Sequence, residues 1–261
     1  MPDSITTTPA AELLHSADAA VDIARKAGAQ DAWASVSRDR SINYAFRDGK
    51  IEKVEESTSR GLGISLYVDG RYSSHSTTDL RPDRLKSFIT EAVALTRALQ
   101  PDPHRKIPDP ALFADRPTLD LERLDPTVAA VTREQREAWC AEMDARAHAD
   151  KRVISAESGL FSGQSLGASA SSNGFSGTWE GGYLGFSCTA TVREGEDKRP
   201  EGSAVAVGRF LAALPEPGKV ADKALRRALE RLGSTKGPTL RATMVVDPEA
   251  AVSLISRALG P

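Results

Sequence analysis

Residues 47–80, RDGKIEKVEESTSRGLGISLYVDGRYSSHSTTDL, decide the fold. Asp48-Gly49 and Asp69-Gly70 each lie between strand-like runs, and this dipeptide suits a tight hairpin because both central turn residues need positive φ. The stretch therefore reads as an antiparallel meander. Its last long run places Leu62, Ile64, Leu66 and Val68 in one apolar row that a helix must cover. That helix is predicted to open at Pro82, with Leu85, Phe88, Ile89, Ala92, Val93 and Thr96 on one side. Upstream, Ala32, Ala34 and Val36 alternate, as do Ile42, Tyr44 and Phe46, which gives a meander of four or five strands. Thr8-Pro9 reads as a cap and first turn of an initial helix carrying Leu13, Leu14, Ala17, Ala20, Val21 and Ala24, stopped at Gly28.

A connector follows, with prolines at 101, 103, 108, 110, 117 and 126 and no usable period. Thr132 to Gln135 then fits a capping box, and Trp139, Met143 and Ala147 share a helix face behind it. Short Ser/Gly-rich runs are expected at 153–160, 164–171 and 175–179, with Asn173-Gly174 as a third hairpin signal. The clearest strand is 182–193, where Leu184, Phe186, Cys188, Ala190 and Val192 alternate with polar residues; 203–211 could pair with it. A helix over 219–232 ends at Gly233, a strand covers 240–246, and Asp247-Pro248 caps a last helix. The expected class is α+β: two helix-plus-antiparallel-sheet blocks. The divisions are 1–100, a connector at 101–130, a second block at 131–235, and the start of a further unit at 236–261 that reads as cut short.

The 261 residues are 40% hydrophobic and 27% charged, the balance of a globular protein. A formal net charge of -2 argues against sequence-independent nucleic-acid binding, which needs a concentrated basic surface. No run has the apolar length of a membrane helix and the first residues lack the pattern of a signal peptide, so a cytoplasmic location is expected. Cys140 and Cys188 form no paired motif and read as free, buried thiols.

The residues nominate no catalytic, cofactor-binding or metal-ligating site. Gly163-Gln-Ser165-Leu-Gly167 matches G-x-S-x-G, but strand and turn material follows where a nucleophile elbow needs a helix. His15, His75, His104 and His148 are not spaced to share a metal. Asp144 and His148, four apart on a helix, could do so, but a surface ion pair explains them at least as well and is the preferred reading. Gly61-Leu-Gly63 lacks the third glycine of a phosphate loop and reads as a relief of crowding or a bulge. Glu52, Glu55 and Glu56 read as a solvated strand face.

Taken together, 48–52 (DGKIE), 60–70 (RGLGISLYVDG) and 76–80 (STTDL) resemble the first domain of the TldD/PmbA family, once called modulators of DNA gyrase. Ser172-Asn-Gly-Phe175, Ser187-Cys188, 228–233 (ALERLG) and Val245-Val-Asp-Pro248 resemble its central part. Gly61-Leu-Gly-Ile64 with 76–80 is closer to the PmbA (TldE) branch than to TldD. The resemblance implies a non-catalytic subunit, or a fragment of one, in a zinc metalloprotease acting on small peptides or unfolded segments. It implies zinc only in a TldD-like partner, whose H-E-x-x-x-H motif this sequence lacks, and assembly with that partner or with itself. The missing ligands follow either from the PmbA branch or from a chain that ends before the motif. Tyr72 to His75 is bulkier than the family pattern. The alternative is a stand-alone module that binds peptides by strand addition.

Overall fold

A computed structural model describes residues 10–116 and 119–260. Helix α1 (Ala10–Lys26) is followed by β1 (Asp31–Arg47), β2 (Lys50–Val68), β3 (Arg71–Thr77) and α2 (Pro82–Arg97). Beyond the connector and a short helix α3 (Pro126–Ala130) come α4 (Arg133–Ala147), β4 (Val153–Ser171), β5 (Ser176–Val192), β6 (Glu201–Gly208) and α5 (Pro217–Leu229). Helix α6 (Pro248–Leu259) is last. The strands form one antiparallel sheet in the order β3-β2-β1-β4-β5-β6, so the two halves meet edge to edge along β1 and β4.

Local chemistry explains the elements. Asp48 and Gly49 have φ of 49° and 80°, and Asp69 and Gly70 have 50° and 73°, the paired left-handed geometry that a two-residue hairpin requires. Thr132 and Gln135 exchange the bonds of a capping box at the start of α4. Gly233, at φ 74°, lies just beyond α5. All four long helices between α1 and α5 cover the same face of the sheet, leaving alternate strand residues on the other face uncovered by helix. Leu62, Ile64, Leu66 and Val68 are buried beneath α1 and α2 together with Ala32, Ala34 and Val36. A second core places Tyr44, Phe46, Leu160, Leu184 and Phe186 beneath α4 and α5. Each large side chain so buried contributes about 1.5–3 kcal/mol of transfer free energy.

The halves repeat one another about a two-fold axis between β1 and β4. Val36 pairs with Leu62 as Leu160 pairs with Phe186, and across the centre Val36 faces Ala168 as Tyr44 faces Leu160. By that correspondence 61–68 (GLGISLYV) matches 185–192 (GFSCTATV). Between the two cores, the helix-side positions turn polar: Arg38 and Arg40 on β1, Thr58 and Arg60 on β2, Ser162 and Gln164 on β4.

Several details differ from the sequence expectations. The meander has three strands, two long and one short, because 31–37 and 42–46 run together as β1, with a register shift at Ala45/Phe46 in place of any bulge at Gly61 or Gly63. The Ser/Gly-rich runs likewise merge into β4 and β5. Residues 240–246 form no strand; Met244 and Val245 are 74% and 92% exposed, and no sheet edge runs beside them to pair their backbone. The Thr8-Pro9 cap lies outside the described residues. The connector runs from one end of the sheet to the middle of β5: Asp102 N donates to Gly70 O, Asn173 Nδ2 to Pro108 O, and Gly182 N to Arg123 O.

Candidate interaction face

The face without helices is floored by small residues and topped by aromatic ones. Ser35 and Ser169 bond across strands at 2.8 Å, as do Ser41 and Ser57. Asp39 accepts from Ser165 Oγ at 2.6 Å and Ser37 Oγ at 3.0 Å. Gly163 lies opposite Tyr183, and Gly167 opposite Trp179. A Cβ on Gly163 would meet the Tyr183 ring at 2.5–2.8 Å, and one on Gly167 would meet Trp179 Nε1 at 2.7 Å. The two rings thus lie flat on bare backbone. This accounts for G-x-S-x-G: its glycines make room for aromatic neighbours, and its serine bonds a carboxylate in mid-strand, with no histidine beside it.

Trp179 and Tyr183 remain 38% and 45% exposed and line a groove of about 430 Å³ with Ser165, Val207, Arg123 and Arg209. Neither arginine is held in an ion pair among the described residues. At the end of the same face Trp33 stacks on Phe175 at 4.5 Å, and Phe113 from the connector meets Phe175 edge-on at 5.3 Å. Partly exposed aromatic rings with an arginine rim are the composition of recognition surfaces. Sequence reading overlooked this groove, although a signal was present. Gly163 and Gly167, then Trp179 and Tyr183, are two equal spacings mirrored about the Asn173-Gly174 turn, and hairpin register brings them together.

The residues weighed for metal chemistry do not converge. His15 and His104 are exposed on separate elements, and His75 is held by Ser73 Oγ at 2.8 Å against the edge of Phe88. His148 does meet Asp144, 3.5 Å from its Nδ1, and also Asp48, 3.4 Å from its Nε2. The two carboxylates therefore approach opposite nitrogens of one ring and cannot share an ion with it. No group of three or more His, Cys, Asp or Glu among the described residues is placed to hold a metal. Among the described residues, the side chains weighed here are not arranged as a zinc ligand set. Burial pushes the Cys140 and Cys188 thiols up to about 12, which leaves them protonated and poor ligands. Glu52, Glu55 and Glu56 are exposed and pair with Arg47, Lys53 and Arg40.

Asp48 instead ties the first hairpin to the second half of the sheet. Its carboxylate accepts from Ala156 N at 2.8 Å and Ser155 Oγ at 3.1 Å, and these bonds, the amide first, hold its pKa below the usual carboxylate value. A depressed folded value means the contribution is present above the unfolded value, about 3.9, and is lost as pH falls through the folded one. Asp48→Asn, which keeps the left-handed turn, should therefore be less stable than wild type at neutral pH. The difference should close below about pH 4 in paired urea titrations; a gap independent of pH would show that the charge plays no part.

Residues 34–96 match the family model described as PmbA/TldA metallopeptidase domain 1, and residues 126–232 match its central domain. The chain is 30% identical over 230 residues to the metalloprotease PmbA of Escherichia coli O157:H7, covering 87% of this chain and 50% of that protein. It is 26% identical over 248 residues to the metalloprotease PmbA homolog of Haemophilus influenzae, covering 94% and 54%. The chain thus spans about half the length of the curated relatives it matches. Among solved structures, a candidate modulator of DNA gyrase from Bacteroides thetaiotaomicron superposes with a TM-score of 0.87 at 30% identity, over 94% of this chain and 56% of that one. TldE from Thermococcus kodakarensis shares the fold, with a TM-score of 0.68 at 15% identity, over 82% and 47%.

Proposed function

The chain belongs to the PmbA/TldD metallopeptidase family, and from that premise we propose that it acts as a PmbA-type, non-catalytic part of a cytoplasmic zinc peptidase that processes peptides. In this reading its two-block sheet is a scaffold, the open face docks a partner, and zinc is held by a TldD-like subunit. The observation that carries it is the groove of Trp179, Tyr183, Arg123 and Arg209 on the sheet face opposite α1, α2, α4 and α5. Relatives named as metalloproteases support the reaction class proposed for the assembly, and the donor set described above suits binding better than hydrolysis.

The test is capture from the native host with tagged chain and identification of partners by mass spectrometry. A protein bearing H-E-x-x-x-H should be recovered, and the Trp179→Ala/Tyr183→Ala double variant should weaken that capture about 30-fold or more, the effect of losing an aromatic hot spot. Equal capture by the variant would overturn the role of the face. One zinc per isolated chain, lost on changing His148, would overturn the non-catalytic assignment.

A second reading has its own observation. Strand β3 pairs only with Leu62–Val68, so the outer edge of β2 before Gly61 has no neighbouring strand among the described residues. An extended peptide could add there by main-chain bonding, as a stand-alone module would use it. Lys53, Glu52 and Glu55 guard that edge with charge. Recovery of the chain without any peptidase partner, together with peptide-dependent protection of β2 amides, would favour this reading.

A further inference from the structure

On the helix-covered side, where the two cores meet, the sheet and α4 enclose a cation that the chain does not neutralise. Arg136 of α4 is 9% exposed, its Nε makes no hydrogen bond, and it forms no ion pair among the described residues. Burial is the main reason its pKa falls below the ordinary arginine value, and the charge of Arg40 acts in the same direction. Tyr44 and Glu56 act the other way. Burial raises the Tyr44 pKa, so the phenol is neutral at neutral pH, and Glu56 is bonded to Arg40, Nε to Oε1 at 2.9 Å. A buried charge without a counter-charge is costly, and a buried donor without an acceptor adds to that cost.

Arg136 borders a cavity of about 10 Å³ whose other polar walls come from β1 and β4. The ladder register assembles them, with Arg40 opposite Gln164 and Ile42 opposite Ser162. Ser162 is 6% exposed, and neither it nor Gln164 uses its side chain in a hydrogen bond among the described residues. Ile42 and Val128, both buried, close the cavity with hydrocarbon. A space of this size takes one water-sized occupant and is too small for a carboxylate, phosphate or sulfate. Water would satisfy the donors but leave the charge of Arg136 standing. A monatomic anion does both.

We propose that this cavity binds a single halide ion, chloride in ordinary buffers, held by the side chains of Arg136, Ser162 and Gln164. The site is separate from the groove on the open face and does not depend on any peptidase partner. The ion ties α4 to β1 and β4 at the seam of the two cores, so its binding stabilises the folded chain.

Urea unfolding of the whole chain in sodium chloride and in sodium gluconate, mixed at constant ionic strength, tests it. The midpoint should rise with chloride and saturate, and bromide should act likewise, whereas gluconate is too large to enter. Crystals soaked in bromide should show an anomalous peak beside Arg136 Nε. Arg136→Met, which keeps an unbranched side chain but removes the charge, should abolish the chloride dependence. Ser162→Ala, a smaller change, should raise the Kd for chloride about ten-fold, the scale of one hydrogen bond to a charge. That variant decides the matter if Arg136→Met does not fold. Equal midpoints in chloride and gluconate would mean that water alone fills the cavity. Chloride dependence that survives these substitutions, or bromide bound only elsewhere, would place the ion at another site, and each of these results would overturn the proposal.

Discussion

Gly202→Ala is expected to destabilise the protein by about 3 kcal/mol, the upper end for overpacking a close-packed interface. Gly202 lies in β6 opposite Ala190 and faces α5. A Cβ there would collide with the backbone of Ala224 and Ala228, and would meet Arg227 C at 2.7 Å. No side-chain rotation can relieve a clash with main chain, so the helix itself must move. That movement would disturb the contacts of Ala221, Ala224 and Ala228, all fully buried, which let α5 approach the sheet so closely. Gly63→Ala supplies the control. Nothing lies within 4 Å of its added carbon, and the change should stay within about 0.5 kcal/mol. Urea midpoints at unchanged slope measure both; similar midpoints for the two variants would show that α5 is not locked against β6.

Much of this fold is legible in short-range signals that have a single physical solution. Asp48-Gly49 and Asp69-Gly70 announce their turns because few other residue pairs adopt two consecutive left-handed conformations, and Thr132 with Gln135 announces a helix start by reciprocal bonding. The row Leu62 to Val68 announces a covering helix because it cannot remain in water. What stays hidden is long-range. Strand β4 reads as fragments because its open-face positions are mostly Ser and Gly, and the purpose of Gly163 and Gly167 is visible only once Tyr183 and Trp179 are known to lie over them. The polar helix-side residues Arg38, Arg40, Arg60 and Gln164 interrupt the apolar rows, so β1 and β4 look like pairs of short strands when each is one long strand crossing two cores. Residues 240–246 err in the other direction. Their apolar alternation is real, yet a strand exists only where another backbone accepts its hydrogen bonds.

Phe186→Ala should cost about 3–5 kcal/mol, and the manner of the loss matters as much as its size. Phe186 is 1% exposed, packs edge-on against Trp139 at 5.5 Å, and occupies the centre of the core beneath α4 and α5. Its counterpart in the first half is Leu62, also 1% exposed, for which alanine should cost about 2–5 kcal/mol. If the halves were separate folding units, each variant would melt its own half and leave the other standing. The structure argues otherwise: β1 and β4 pair continuously from Trp33 with Ser171 to Arg47 with Glu157, and both strands contribute to both cores. Losing either half would strip a neighbour from the centre of the remaining sheet. Leu62→Ala and Phe186→Ala should therefore lower one shared transition, with far-UV circular dichroism and tryptophan fluorescence giving the same midpoint in each variant. A biphasic curve, with Leu62→Ala moving one phase and Phe186→Ala the other, would mean that the β1·β4 ladder joins two domains that fold independently.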